Sequence, residues 1–257
     1  MSKKNIKLVI EYKGTVYSGW QSQVDTKTIQ DEIISAIFKT TNQKVNLIGA
    51  GRTDAGVHAL GQVANFIIEH PLETEKYKNA LNYYLPSDIR IKKSEEVPVE
   101  FNARFNAVSK RYRYLIALEK SALYREYRWE YGKKLYFSLL GEGAKLVVGQ
   151  HDFSPFCVVS SRKVNNVCRI DFARWSRIGP LFVFEIRGNR FLHHMVRSLV
   201  GAMVNIATTD KDQNKQNLTL ERFGDIIKNP TLERITFTAP AHGLYLVSVK
   251  YEKDEQR

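Results

Sequence analysis

The order in which β-rich and helical runs follow one another constrains this chain most, because the same order occurs twice. "IKLVIEY" (6–12) is an apolar run rich in branched residues and predicts a strand. "TIQDEIISAIFKTT" (28–41) sets Ile29, Ile33, Ala36 and Ile37 at helical spacing, with acidic residues near its start. Strands are expected over "VNLIGA" (45–50) and "HALGQVANFII" (58–68). A helix over "LETEKYKNALNYYL" (72–85) follows, closed by Pro86, and "DIRIKKSEEV" (88–97) alternates like an edge strand. β-α-β-β-α-β is the ferredoxin-like plan.

The second half runs the same course. "AVSKRYRYLIALE" (107–119) predicts a strand and "FSLLGEGAKLVVG" (137–149) a glycine-interrupted helix. "VCRIDFARWSR" (167–177) and "LFVFEIRGN" (181–189) form a strand pair around Gly179-Pro180. "FLHHMVRSLVGAMVNIA" (191–207) predicts an apolar helix and "GLYLVSVKY" (243–251) a last strand. The polar loop 208–217 and a helix over "LTLERFGDIIK" (218–228) read as insertions before it. The expected fold is therefore α+β, with two ferredoxin-like (RRM-like) βαββαβ halves over 1–98 and 99–257. The insertion spans 208–230, and the two sheets are expected to join edge to edge around a central cleft.

Charge then narrows the partners. Thirty-nine Lys and Arg against 27 Asp and Glu leave +12, an excess that favours a polyanion. "KRYRYLI" (110–116) and "YREYRW" (124–129) interleave arginine with aromatics, the mix that contacts phosphates and stacks on bases. The start, "MSKKNIKLVIEYKG", has no long apolar h-region. No apolar run approaches the roughly 18 to 20 residues that span a bilayer. Cys157 and Cys168, eleven positions apart and outside any zinc spacing, point to free thiols in a reducing cytoplasm. His193 and His194 would point about 100° apart on a helix and so could not share a metal from one face. No metal site and no cofactor are expected.

One carboxylate stands out in "GAGRTDAGVHALGQVANF" (49–66). Asp54 lies between Arg52 and His58, with Gly49, Gly51, Gly56 and Gly61 around it. It could be a turn former bonding nearby backbone N–H groups. Glycines also admit a ligand close to the backbone, and a neighbouring guanidinium would keep a nucleophilic carboxylate ionised. His58 stays open between substrate contact and turn packing. Arg197 on an apolar helix wants a carboxylate partner, because an unpaired buried guanidinium is costly.

The stretch "GRTDAGVHA" resembles the catalytic signature of the TruA family of tRNA pseudouridine synthases. Further blocks follow the family's order: "EYKGTVYSGWQSQ" (11–23), "LNYYLPSDIRI" (81–91), "FNARFNAVSKRYRYLI" (101–116), "GQHDFSPF" (149–156), "GNRFLHHMVRSLVG" (188–201) and "APAHGLYLVSVKY" (239–251). The resemblance implies isomerisation of uridine to pseudouridine at positions 38, 39 and 40 of the tRNA anticodon arm, by base flipping, in a cytoplasmic homodimer. Asp54 would be the essential carboxylate, as nucleophile or as acceptor of a ribose proton. Tyr112 would stack on the base with Leu244 against it, Arg197 would pair with Asp54, and Arg52 would contact the RNA backbone. Lys13 and Ser22 replace the family's usual Asp and Arg in the opening element. The rival reading is a tRNA-binding chaperone of the same fold without catalysis.

Overall fold

A computed structural model of the chain describes residues 2–162, 164–208, 218–231 and 233–252. In chain order the elements are β1 (Lys4–Tyr12), α1 (Ile29–Thr41), β2 (Ile48–Gly49), β3 (His58–Ile68), α2 (Lys76–Tyr84) and β4 (Ile89–Val97). They continue with β5 (Ala107–Ala117), β6 (Trp129–Glu130), α3 (Phe137–Leu146), β7 (Gly149–Asp152), β8 (Val167–Ile178), β9 (Leu181–Gly188), α4 (Met195–Ala207), α5 (Leu220–Lys228) and β10 (Leu244–Tyr251). The architecture is α+β, as the element order predicts. From residue 209 on, the loop expected over 208–217 lies outside the described residues.

The chain divides into two compact units, one running to Lys110 and resuming at Tyr245, the other spanning Arg111–Leu244. The boundary falls inside β5 rather than at 98/99, and β10 counts almost wholly with the first unit. Its parallel pairing with β3, Tyr245 opposite His58 and Leu246 opposite Ala59, ties it there.

In the first unit the strand order is β4-β1-β3-β10, with β1 antiparallel to both β3 and β4. The expected strand 45–50 shrinks to Ile48–Gly49, which pairs only with Asn65 and Ala64 of β3. The Trp20 indole fills the place a side chain at Gly49 would take. α1 forms where its periodicity places it: Ile29, Ile33, Ala36 and Ile37 are buried. Thr28 caps its N-terminus by accepting the Asp31 N–H at 3.2 Å, Asp31 and Glu32 face the positive helix end, and Asn42 closes it at φ 55. α2 starts at Lys76, four residues later than predicted, because the N–H groups of Lys76 and Tyr77 close three-residue-spaced turns onto Glu73 and Thr74.

The second unit orders its strands β5-β9-β8-β7, with β6 alongside β5. The hairpin β8–β9 turns at Gly179 (φ 56), the position its Gly-Pro pair predicts. α4 begins at Met195, four residues inside the predicted helix, since His194 sits at φ 66 and cannot continue a right-handed helix backward. Trp175 of β8 stacks on Phe184 of β9 and donates its Nε1–H to the Met203 sulfur of α4 at 3.5 Å, which makes this the core face of the sheet. Cys157 and Cys168 are free and buried, and burial pushes both thiols above their ordinary range. Among the described residues no helix is long and apolar enough to cross a membrane.

Candidate active site

The first unit fixes the backbone around Asp54 from several sides. The Ala50 N–H donates to Val63 O at 2.7 Å, and Gln62 Nε2 donates to Gly51 O at 2.8 Å. Trp20 N–H reaches Thr53 O at 3.1 Å and Gly56 N–H reaches Tyr17 O at 3.4 Å. Below the loop, the Thr53 hydroxyl and the Tyr12 phenol share a buried hydrogen bond of 2.7 Å. Burial pushes the Tyr12 phenol far above its ordinary range, against hydrogen bonds to Thr53 and Gln62, so it stays neutral. The opening element "EYKGTVYSGWQSQ" is thus the cradle of the 50–57 loop. A Cβ at Gly19 (φ 91) would stand 2.5 Å from the Thr53 carbonyl oxygen, so only glycine lets the two segments lie this close.

On that cradle Asp54 is half-buried and opens a turn. Its carbonyl accepts the Val57 N–H at 3.1 Å, and Gly56 supplies the positive φ (78) at the turn's third position. The bond that closes the turn is made by the Asp54 backbone carbonyl. Arg52 is exposed and its Nε donates to Gln21 Oε1 at 3.2 Å. His58 is buried at 2% exposure. Its Nδ1 accepts the Gly14 N–H at 3.0 Å, and its ring lies 4.9 Å from that of Tyr245 on β10. Of the two roles left open for His58, its own surroundings are those of turn packing.

Lys110 is a neighbour the motif reading missed. Its side chain lies where a side chain at Gly51 would project, with Nζ 3.2 Å from that position. Burial, with help from the Arg104 charge, pushes its ammonium pKa down. Gly51 therefore leaves a slot for a cation beside the Asp54 loop.

In the second unit, Tyr112 and Tyr114 alternate with Arg111 and Arg113 along β5, so the two tyrosines share the core-side face. The Tyr112 ring meets Phe191 edge-on at 5.0 Å. Tyr114 donates its hydroxyl to Pro240 O at 2.7 Å, and its ring occupies the space above Gly243, where a Cβ would sit 2.6 Å from the ring. Burial pushes this phenol well up, opposed by the Arg197 charge. Arg197 Nε donates to Ala239 O at 2.9 Å while Ala239 N–H donates to Arg197 O at 3.0 Å. Gly201, one turn on, lets the Phe237 carbonyl come against α4, 2.9 Å from where a Cβ would be. Tyr114 and Arg197 together hold the segment 237–244, at whose end Leu244 is buried. Tyr114 was legible only as a strand aromatic.

His193 and His194 precede α4 rather than lying on it, so the helical-spacing argument about them does not apply. Their rings meet at 4.4 Å, and His193 Nδ1 lies 2.8 Å from Ser161 Oγ. His242 is pushed down in pKa by burial, against a hydrogen bond to the Arg128 backbone and the Glu130 charge. The six candidate residues thus fall into two sets: Arg52, Asp54 and His58 on one cradle in the first unit, and in the second unit Arg197 and Leu244 at the 237–244 segment with Tyr112 against Phe191.

Comparison with known proteins covers both sets. A family model described as tRNA pseudouridine synthase matches residues 8–106 and 144–252. A tRNA pseudouridine synthase A of Acetivibrio thermocellus is 43% identical over 250 residues, covering 96% of this chain and 100% of its own. Those of Brachyspira hyodysenteriae (40% over 245 residues, 94% and 96% covered) and Caldicellulosiruptor bescii (39% over 250 residues, 96% and 100% covered) are similar across the same span. Among solved structures, a chain of the archaeal box H/ACA sRNP Nop10–Cbf5 complex shows a TM-score of 0.36 at 11% identity, covering 88% of this chain and 56% of its own. That last likeness is too weak to bear on the argument. A family match whose residues include both the Asp54 loop and the 237–244 segment, with relatives similar over nearly the whole chain, leaves one assignment: the chain belongs to the tRNA pseudouridine synthase family and is an isomerase acting on uridine in tRNA.

Proposed function

We propose that this enzyme converts uridine to pseudouridine at positions 38, 39 and 40 of the tRNA anticodon stem-loop, with Asp54 as the catalytic residue. The observation that carries the reading is the Asp54 turn. Its backbone is held by hydrogen bonds to residues 17 and 20, which presents a half-buried carboxylate from a fixed turn.

In the reaction the N1–C1′ glycosidic bond breaks, the uracil turns, and a C5–C1′ bond forms. The C5 hydrogen leaves as a proton and N1 gains one, so atoms and electrons balance without oxidant or reductant. Asp54 serves either by attacking C1′ or by taking a ribose proton; both roles need it ionised, and pairing with Arg197 favours that form. A stacked uridine hides both bonds, so the nucleotide is extruded at the cost of unstacking. Tyr112 and Leu244 hold the detached uracil until it reattaches. Arg52, exposed beside Asp54, contacts the RNA backbone. Recognition of neighbouring positions rests on phosphate and shape more than on base edges. The enzyme works in the cytoplasm as a homodimer and needs no metal.

The test uses transcribed tRNA carrying tritium at C5 of uridine, with chelator present. Wild-type enzyme is expected to release tritium into water, Asp54→Asn is expected to release none, and the modified positions are expected to map to the anticodon arm. Tight binding without release by wild type would replace this reading with the non-catalytic tRNA-binding one. Release that stops on adding chelator would remove the metal-free claim.

A further inference from the structure

The second unit's sheet has a charged face opposite its core face. Along β9, Phe184 packs on Trp175 toward α4, so its neighbour Glu185 projects the other way. Glu185 is only 4% exposed, and three guanidiniums reach it. Arg111 Nη2 lies 2.7 Å and Arg113 Nη2 2.9 Å from Oε1, and Arg174 Nη2 lies 3.3 Å from Oε2. Burial alone would push this carboxyl up, but the hydrogen bonds and charges of Arg113 and Arg111 outweigh it and hold it below the usual range. On β8, Asp171 is bound in the same manner by Arg169 at 2.9 Å and Arg187 at 3.8 Å. Five guanidiniums against two carboxylates leave a surplus of three positive charges.

Those arginines are organised but not used up. Their side chains keep 40% (Arg111), 37% (Arg113) and 59% (Arg174) exposure. Each guanidinium carries five N–H donors, and one carboxylate cannot satisfy three of them. The Arg111 Nε–H is buried with no acceptor among the described residues. Arg174 also lies over the Phe172 ring at 5.1 Å, which fixes its plane. A planar donor fork held in advance loses little side-chain entropy on meeting an anion, and its geometry matches phosphate oxygens two at a time.

We infer that this arginine face, on the opposite side of β5 from Tyr112, binds phosphates of the substrate RNA away from the reacting uridine. The inference rests on the tRNA reading above and adds a second contact surface to it. A second copy of this chain fits the face less well: a two-fold contact centred there would set a surplus of three positive charges against its own copy. RNA backbone supplies the missing negative charge.

The experiment measures tRNA dissociation constants of the full-length enzyme across a salt series, alongside tritium release at saturating tRNA. Arg113→Gln/Arg174→Gln is compared with wild type and with Lys39→Gln, a control on exposed α1 surface. The double variant is expected to bind about tenfold more weakly near 0.1 M salt, with the log–log salt slope reduced by about 1.4 to 1.8. Its turnover at saturating tRNA should stay within about twofold of wild type. If the double variant melts early, Arg174→Gln alone should still reduce the slope by about 0.7 to 0.9. An unchanged slope in both overturns the inference, and an unchanged slope with a shift in mass by light scattering assigns the face to contact between copies instead. Wild type that shows the slope difference but releases no tritium would refute the isomerisation reading and leave the arginine face standing.

Discussion

The 50–57 loop of the first unit and the 237–244 segment of the second are both irregular stretches carrying candidate site residues, yet they are held in opposite ways. The first is pinned by groups that are not candidates themselves: Tyr12, Trp20, Gln62 and the carbonyl of Tyr17. The second is pinned in part by the candidate itself, since Arg197 makes reciprocal bonds with Ala239. If Asp54 is the catalytic residue proposed above, losing it should read mainly as chemistry, while losing Arg197 should mix chemistry with stability.

The largest effect that could break this contrast is at Asp54. Asp54→Asn is expected to lower tritium release by at least about 10³-fold with a stability change under about 1 kcal/mol. A melting temperature that collapsed with activity would mean that the carboxylate also holds the loop. Arg197→Met should show the mixed pattern. Leaving the Ala239 carbonyl without its donor should cost about 1 to 3 kcal/mol in denaturant titration, with activity reduced as well. If stability stayed at wild-type level, the two segments would be held alike and the contrast would fail.

Smaller changes sharpen it. Thr53→Val removes one partner of the buried Tyr12 hydroxyl and should cost about 1 kcal/mol, with a modest fall in turnover, because it loosens the cradle and leaves Asp54 in place. A turnover loss as large as that of Asp54→Asn would show that support and chemistry are not separable in the first unit. Smallest is Tyr112→Phe, which keeps the edge-on contact with Phe191 and the stacking face. Binding measured by filter retention should match wild type; a marked loss would assign the hydroxyl a substrate contact.

The helices were legible because burial imposes a period. Ile29, Ile33, Ala36 and Ile37 read as one face and are one face. β3 was legible over its full length, His58–Ile68, from its apolar run. β2 was not, because nothing local says that Trp20 will lie over Gly49 or that β10 will share the edge of β3. The start of α4 was hidden for a related reason: "FLHH" is as apolar as the helix it precedes, and only the left-handed backbone at His194 marks the break. Around the site, Asp54 announced itself through the glycines that surround it. Tyr12 did not, lying 41 positions from the Thr53 it bonds, and neither did Tyr114, 126 positions from Pro240.

By itself, then, the sequence determined the order of the longer elements though not the short strands β6 and β7, and with it the apolar faces, the basic surplus and the glycine-rich block that presents one carboxylate, all of which follow from spacing along the chain. Tertiary structure decided what depends on distant partners. It set the Asp54 loop on Tyr12, Trp20 and Gln62, gave Arg197 a bond to Ala239, turned His58 inward onto Gly14 and Tyr245, and gathered three arginines on Glu185. Hydrogen bonds and ion pairs are settled by position in space, and residues that meet there carry no mark of it in their order along the chain.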